Sequence, residues 1–471
     1  MWKHIRNFTL ILLLLAIGAG WYLTRPDKAQ LPEAKVTGTR PELGSPRPEG
    51  IPTVGIAKPT GWPAGAKPTV AAGLNVDRFA EGLDHPRGIL VLPNGDVLVA
   101  EARGPANKGG GIKGWIAAKL MGQAGATGPS ANRIMLLRDT DGDGKADVKK
   151  PFITNDLNSP YGMALIGDRL YVANTDALIF YPYKEGDEAI TAAPKKIINL
   201  PATAPNMHWT RNLMPSPDGK LLYVSVGSNS NIGENGMDTE NYRAAVLEVN
   251  LADNSYRIQT IGMRNPVGMA FHPVSGELWA VVNERDMLGS DLVPDYLARA
   301  EFGTAYGWPY YYWGGYEDPR VVDEAPEDLR QYMRRPDYAL GPHVAPLGLV
   351  FANQSSLGSA WNNGAIVALH GSWNRSPLSG YKVVYVKFDE QGRPLNAPPV
   401  DLLTGFLGAD SKTTRGRPTD VKLAKDGALL VTDDTAGIVW RVSGSGAASG
   451  TASPASPPVT PAASPAPVAK K

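Results

Sequence analysis

His85-Pro-Arg-Gly-Ile-Leu-Val-Leu-Pro-Asn-Gly-Asp-Val-Leu-Val-Ala100 carries the pattern on which the fold turns. A turn with Pro and Gly leads into an apolar run, Asn94-Gly95 reverses the chain, and a second apolar run returns. Asn-Gly favours a two-residue hairpin because both residues tolerate the positive φ of a tight turn. The same logic recurs as SPYGMALIGDRLYVAN from Ser159, HWTRNLMPSPDGKLLYVSVGS from His208 and RNPVGMAFHPVSGELWAVVNE from Arg264. APLGLVFANQ from Ala345, followed by GAIVALHGSW, and GRPTDVKLAKDGALLVTDD from Gly416 complete the set. Copies separated by roughly 50–80 residues leave room for a four-stranded blade with inserted loops. Six radially packed blades also leave only short, protected sheet edges, so an all-β, six-bladed β-propeller is predicted.

The rest of the composition agrees. A chain of 471 residues with 52 Gly and 41 Pro suits many short strands joined by turns. Lys plus Arg number 47 and Asp plus Glu 46, which gives no bulk electrostatic reason to expect nucleic acid. Cysteine is absent, which excludes thiolate catalysis, Cys-ligated zinc, iron–sulfur clusters and disulfides together.

Outside the repeats lie three other kinds of sequence. Lys3, His4 and Arg6 precede an apolar run from Phe8 to Leu23, so residues 1–23 read as a secretion signal or membrane anchor. Gly18 and Gly20 suit cleavage, whereas Trp21 and Tyr22 suit retention as an anchor at the outer interface. Either way the body is expected in the periplasm. Residues 24–72, with repeated prolines and little apolar periodicity, read as an extended tether. Residues 443–471, mostly Ala, Ser, Pro and Gly, read as a disordered tail, and residues 73–442 as the propeller.

Propeller ligands sit at the mouth of the central channel, so polar residues at equivalent places in the repeats are expected to converge. They are Arg87, Tyr161, His208 with Arg211, Arg264 with Asn265, and Arg415 with Arg417. So many guanidinium groups around one axis would repel one another unless an anion lay among them, and Arg matches carboxylates in bidentate geometry. A histidine among cations, its pKa lowered, can act as a general base near neutral pH, and His208 is the candidate.

Six stretches then bear a family resemblance: NMHWTRNLMPSPDGKLLYVSVGS (206–228), GMRNPVGMAFHP (262–273), VVNERD (281–286), AYGWP (305–309), HGSWNR (370–375) and RGRPTDV (415–421). Residues 73–442 resemble the soluble sugar dehydrogenases that depend on pyrroloquinoline quinone (PQQ), in their sorbosone-dehydrogenase-like branch. The resemblance implies oxidation of a sugar, sugar aldehyde or related alcohol by hydride transfer to PQQ. Electrons would pass on to an acceptor such as a membrane quinone or cytochrome. It implies that His208 is the base, that Arg264 polarises the quinone carbonyl, and that Asn265 bonds the same edge. Arg415 and Arg417 would hold cofactor carboxylates, with Arg375 or His370 where the family has a lysine. The backbone carbonyls of Asp286 and Met287 would bind the calcium ion that bridges protein and cofactor.

The chain also departs from the family pattern. Met207 stands where well-known members have an acidic residue, and Arg285-Asp286-Met287 where they have Gly-Pro. Insertions at 104–131 and 310–336 are placed to reshape the substrate entrance. Asp139, Asp141, Asp143 and Asp147, at alternate positions on a Gly-containing turn, form a possible second calcium site, although Lys150 replaces the glutamate of a complete EF-hand. Two other functions compete: a calcium-dependent propeller lactone hydrolase, disfavoured by a cationic axis, and an envelope binding module without chemistry.

Overall fold

The computed structural model describes residues 6–8, 26–105, 122–125 and 128–446. Six antiparallel four-stranded units follow one another around an axis. Their innermost strands are Pro86–Val91, Met163–Ile166, Leu213–Pro215, Asn265–Phe271, Pro346–Phe351 and Pro418–Leu423. The sixth blade is closed by the start of the propeller sequence, Leu74–Glu81, which pairs antiparallel with Ile438–Gly444. First and last strands thus share a blade, and the ring closes without a free seam.

The recurrent Pro and Gly have a packing reason. A Cβ at Gly162 would lie 2.5 Å from Leu213 N, at Gly268 2.8 Å from Leu347 O, and at Gly348 2.7 Å from the Asp420 Cα. Gly88 meets the Tyr161 carbonyl in the same way. The inner strands approach so closely that only hydrogen fits at the crossing. Two blades carry Asn212 and Asp420 at this place, and each side chain reaches the next blade instead. Asn212 Nδ2 donates to Val267 O (3.0 Å), and Asp420 Oδ2 accepts from Ile89 N (3.0 Å). One residue earlier, Tyr161, Val267 and Leu347 form a small buried cluster where inner strands of three blades meet.

Between blades the alternating apolar residues pack face to face, with Trp279, Trp440, Tyr171 and Tyr296 almost fully buried. Each pair of blades shares such a layer, so the core is a ring of interfaces rather than one central mass.

The Pro-rich segment departs from its expected role as a tether. Residues 26–72 are extended but are laid along the propeller. Thr69–Val70 adds a fifth strand to Val400–Thr404, and Lys58–Pro59 pairs with Thr413–Thr414. Val36 and Ala57 are buried, and Trp62 packs edge-on against Phe406 and Trp440, both at 5.3 Å. Single apolar anchors and backbone pairing hold the segment, which is why it shows no apolar period. Ser443 and Gly444 end the last strand, and 447–471 lie outside the described residues, as do most of the N-terminal apolar run and of the first insertion. No helix among the described residues is long and apolar enough to cross a membrane.

Candidate active site

The loops that enter the innermost strands carry two polar clusters. In the first, His208 lies just ahead of the third blade. Its Nδ1 is 2.9 Å from the Ser228 carbonyl. A carbonyl only accepts, so Nδ1 carries the hydrogen and Nε2 presents a lone pair. Burial, then the charge of Arg264, pushes the imidazole pKa down to about 3, so the ring is neutral across the ordinary pH range. Arg211, expected at the channel mouth, is instead fully buried beneath this loop. It donates to the carbonyls of His208 (2.7 Å), Thr210 (2.9 Å) and Pro201 (2.7 Å) and so holds the base in place.

Arg264 sits at the start of the fourth blade with all its donors engaged. Nε meets Asn231 O (3.2 Å), and one terminal nitrogen meets Glu284 O (2.6 Å) and, weakly, Asn283 O (3.5 Å). The other meets Asn231 Oδ1 (2.8 Å) and Asp286 Oδ2 (2.9 Å). Its charge is therefore fixed beside His208, and only the longest bond is cheap to exchange for a ligand. Asp286 lies between Arg264 and His343, whose Nδ1 is 3.5 Å from Oδ1. Burial opposes the ionised carboxyl, but Arg264 and His343 outweigh it and hold the pKa at about 2. Asn265 lies against Gly227, beside His208, with its buried Oδ1 unpartnered among the described residues.

The second cluster surrounds Asp434, at the end of the sixth blade's second strand. One oxygen receives Arg87 (2.6 Å) and His370 Nε2 (2.9 Å), with His85 Nε2 at 3.4 Å. The other oxygen, Arg87 Nε and Tyr161 OH are buried without partners among the described residues. Burial lowers His85 and His370 to about 4, with Arg417 adding to the effect at His370. The clusters adjoin, because the Arg87 guanidinium stands 5.6 Å from the ring of Trp209, the neighbour of His208. Arg417 donates to the carbonyls of His370 (3.1 Å) and Gly371 (3.0 Å).

Arg415 is exposed, 5.7 Å from the Trp62 ring, with one long bond to Gly405 O (3.4 Å). Arg375 is not part of the mouth contacts. It is buried, and it ties Ser290 O (3.0 Å) to Pro377 O (2.7 Å). The mouth also holds more carboxylate than expected, since Asp286 and Asp434 lie within it, each already matched by cations.

The expected calcium ligands are taken. The Asp286 carbonyl accepts from Arg320 (2.7 Å) and Asn231 Nδ2 (3.0 Å), and the Met287 carbonyl accepts from Glu49 N (3.0 Å). A dication on the Asp286 carbonyl would share that oxygen with a guanidinium, a repulsion of roughly several kcal/mol at about 4 Å. These two carbonyls do not fit a calcium ion. PQQ fares differently. Donors on Arg87 and Tyr161 without partners among the described residues, lightly engaged Arg415, and Arg417, which commits Nε and one terminal nitrogen to carbonyls, suit the carboxylates of a polyanionic ligand, while Asn265 Oδ1 offers an acceptor. Of the exposed acidic loop, Asp139, Asp141 and Asp147 bring oxygens within 4.8 Å of one another, while Asp143 stands apart, 3.6 Å from Lys145.

Residues 128–294 and 323–445 match the TrAA12-like family. The chain belongs to that family. An uncharacterized protein of Borreliella burgdorferi is 30% identical over 301 residues, covering 62% of this chain and 77% of that one. The pyrroloquinoline quinone-dependent pyranose dehydrogenase of Coprinopsis cinerea is 27% identical over 449 residues, covering 80% of this chain and 55% of that protein. Among solved structures, the Trichoderma reesei carbohydrate-active enzyme of family AA12 superposes with a TM-score of 0.64 at 19% identity, covering 80% of this chain and 98% of that one. That last likeness is one of fold.

Proposed function

We propose that this TrAA12-like protein is a PQQ-dependent dehydrogenase that oxidises a sugar, with a sorbosone-like sugar aldehyde as the finer expectation. The observation that carries the reading is the state of His208: a neutral ring with Nδ1 committed to a carbonyl and Nε2 without a partner among the described residues, beside a fixed guanidinium. When bound, PQQ supplies a two-electron acceptor for the hydrogen on the substrate carbon. His208 Nε2 takes the proton of the substrate hydroxyl as the carbonyl forms. Arg211 holds the His208 carbonyl, and with it the imidazole, in register. Arg264 and Asn265 would act on the quinone's reacting edge, Arg264 chiefly through its charge. Arg87, Arg417 and Arg415 would supply the carboxylate-binding side, with His370 held neutral against Asp434 behind them. The relatives that act on sugars with PQQ support this reading.

Calcium at Asp286 and Met287 is not part of it. Asp139, Asp141 and Asp147 are the remaining position for that ion. The N-terminal segment supports a periplasmic body tied to the inner membrane, with a membrane quinone or cytochrome as electron acceptor. The test is to titrate PQQ into purified protein, follow its absorption, and add a panel of aldoses and aldehydes with an artificial acceptor. Reduction of bound quinone by a sugar is the expected result, and saturation binding without reduction by any of them would refute the activity.

A further inference from the structure

We infer that the Arg320 guanidinium takes the place of a metal ion in the cofactor loop, so that this chain binds its quinone without calcium; the inference rests on the PQQ reading above. Arg320 belongs to the insertion at 310–336, and its placement is built rather than incidental. Asp318 grips it in a fork, Oδ1 to Nε at 2.9 Å and Oδ2 to a terminal nitrogen at 2.7 Å. Asp318 is itself fully buried and also faces Arg285 at 3.4 Å. The remaining terminal nitrogen of Arg320 points at the Asp286 carbonyl at 2.7 Å.

That oxygen is fully used. Its second partner is Asn231 Nδ2 at 3.0 Å, and Asn231 Oδ1 in turn accepts from the Asp286 amide at 2.9 Å. The following residue is fixed as firmly. Met287 N donates to Asn374 Oδ1 (2.6 Å), Met287 O accepts from Glu49 N (3.0 Å), and Asn374 Nδ2 donates to Glu49 Oε2 (2.9 Å). Calcium needs roughly six to eight oxygens with free lone pairs. Here the loop's carbonyls are bound by N–H donors from three separate segments, one of them a cation. The guanidinium does by hydrogen bonding what a hard ion does by coordination: it fixes the loop and adds positive charge beside the cofactor side of the mouth. It also orients Asp286, whose carboxylate holds Arg264. Arg320 is thus a positioning residue.

The test reads PQQ affinity by quenching of tryptophan fluorescence, in EGTA and in millimolar calcium. Asp141→Asn is present in every protein, so that the acidic loop contributes no calcium response. The Arg320-containing protein is expected to bind PQQ equally in both buffers. Arg320→Ala should lose about tenfold or more in affinity in EGTA, the effect of removing a charge-assisted bond. Calcium-dependent binding by the Arg320-containing protein, or undiminished metal-free binding by Arg320→Ala, would overturn the inference. Should Arg320→Ala fail to fold, calorimetry decides with the Arg320-containing protein alone. Calcium uptake that appears only with PQQ overturns the inference, and its absence upholds it. Binding of PQQ in neither buffer would instead defeat the functional reading, and the inference with it.

Discussion

Mild acid should weaken the cofactor-free propeller through the Asp434 cluster, and the size of the effect follows from its geometry. His85 and His370 both lean on one Asp434 oxygen, yet burial holds each near a pKa of about 4 against an ordinary 6.5. A ring whose pKa is lower in the folded chain takes a proton more readily when unfolded. As pH falls from 7 the unfolded chain gains that proton first, so stability is lost from about 6.5 downward until the folded rings titrate. Between pH 7 and pH 5 the difference comes to about 2 kcal/mol for each histidine. The informative perturbation is His370→Gln. Its amide can still donate to Asp434, as His370 Nε2 does at 2.9 Å, but it cannot titrate. Urea unfolding at pH 7 and pH 5 gives a stability loss for each protein. The variant should lose about 2 kcal/mol less than wild type over that interval. His208 and the other titrating groups away from Asp434 cancel in the comparison. Identical losses in the two proteins would refute a His370 held neutral by burial.

Other expectations follow from the same contacts. His208→Ala should leave PQQ binding intact and lower kcat by about 100- to 10,000-fold, measured on cofactor-loaded protein. Wild-type turnover should stay level from pH 8 to pH 5, because the ring at a pKa of about 3 loses its basic form only below that range; an acid limb near 6.5 would count against its burial. Arg415→Ala should weaken PQQ binding with little change in melting, whereas Arg375→Ala should lower melting, because buried Arg375 ties two backbone carbonyls. Deleting residues 26–72 should destabilise the propeller in thermal unfolding, since Trp62, Val36 and Ala57 leave packed positions; an unchanged transition would restore the picture of a free tether.

The fold was legible because its period is carried by residues that cannot be replaced freely. Gly88, Gly162, Gly268 and Gly348 mark the crossings of inner strands, and Pro precedes each by two positions. Even the exceptions, Asn212 and Asp420, fall in register with them. The packing of the N-terminal segment was opaque in the sequence for a matching reason. Its contacts are made by isolated residues against a surface already formed, and nothing in its own periodicity records that surface.

The site was legible where a residue sits at a repeat-equivalent position and opaque where its role depends on a partner far along the chain. His208 and Arg264 stand three residues ahead of Arg211 and Val267, and the repeat alone singles them out. His85 and Asp434 lay inside or at the end of quoted repeats, yet their meeting requires the ring to close first and sixth blades together, 349 positions apart (434 − 85). Arg320 gave less signal still. In the sequence it is one basic residue in an insertion, and only Asp318 beneath it and the Asp286 carbonyl ahead of it give it a role. The same holds for Glu49, whose amide and carboxylate reach Met287 and Asn374 from a segment that looked like a spacer. Motif resemblance predicts the groups that face the ligand. It does not show what stands behind them, and in this chain the support behind the cofactor loop is where the molecule departs from its expected metal site.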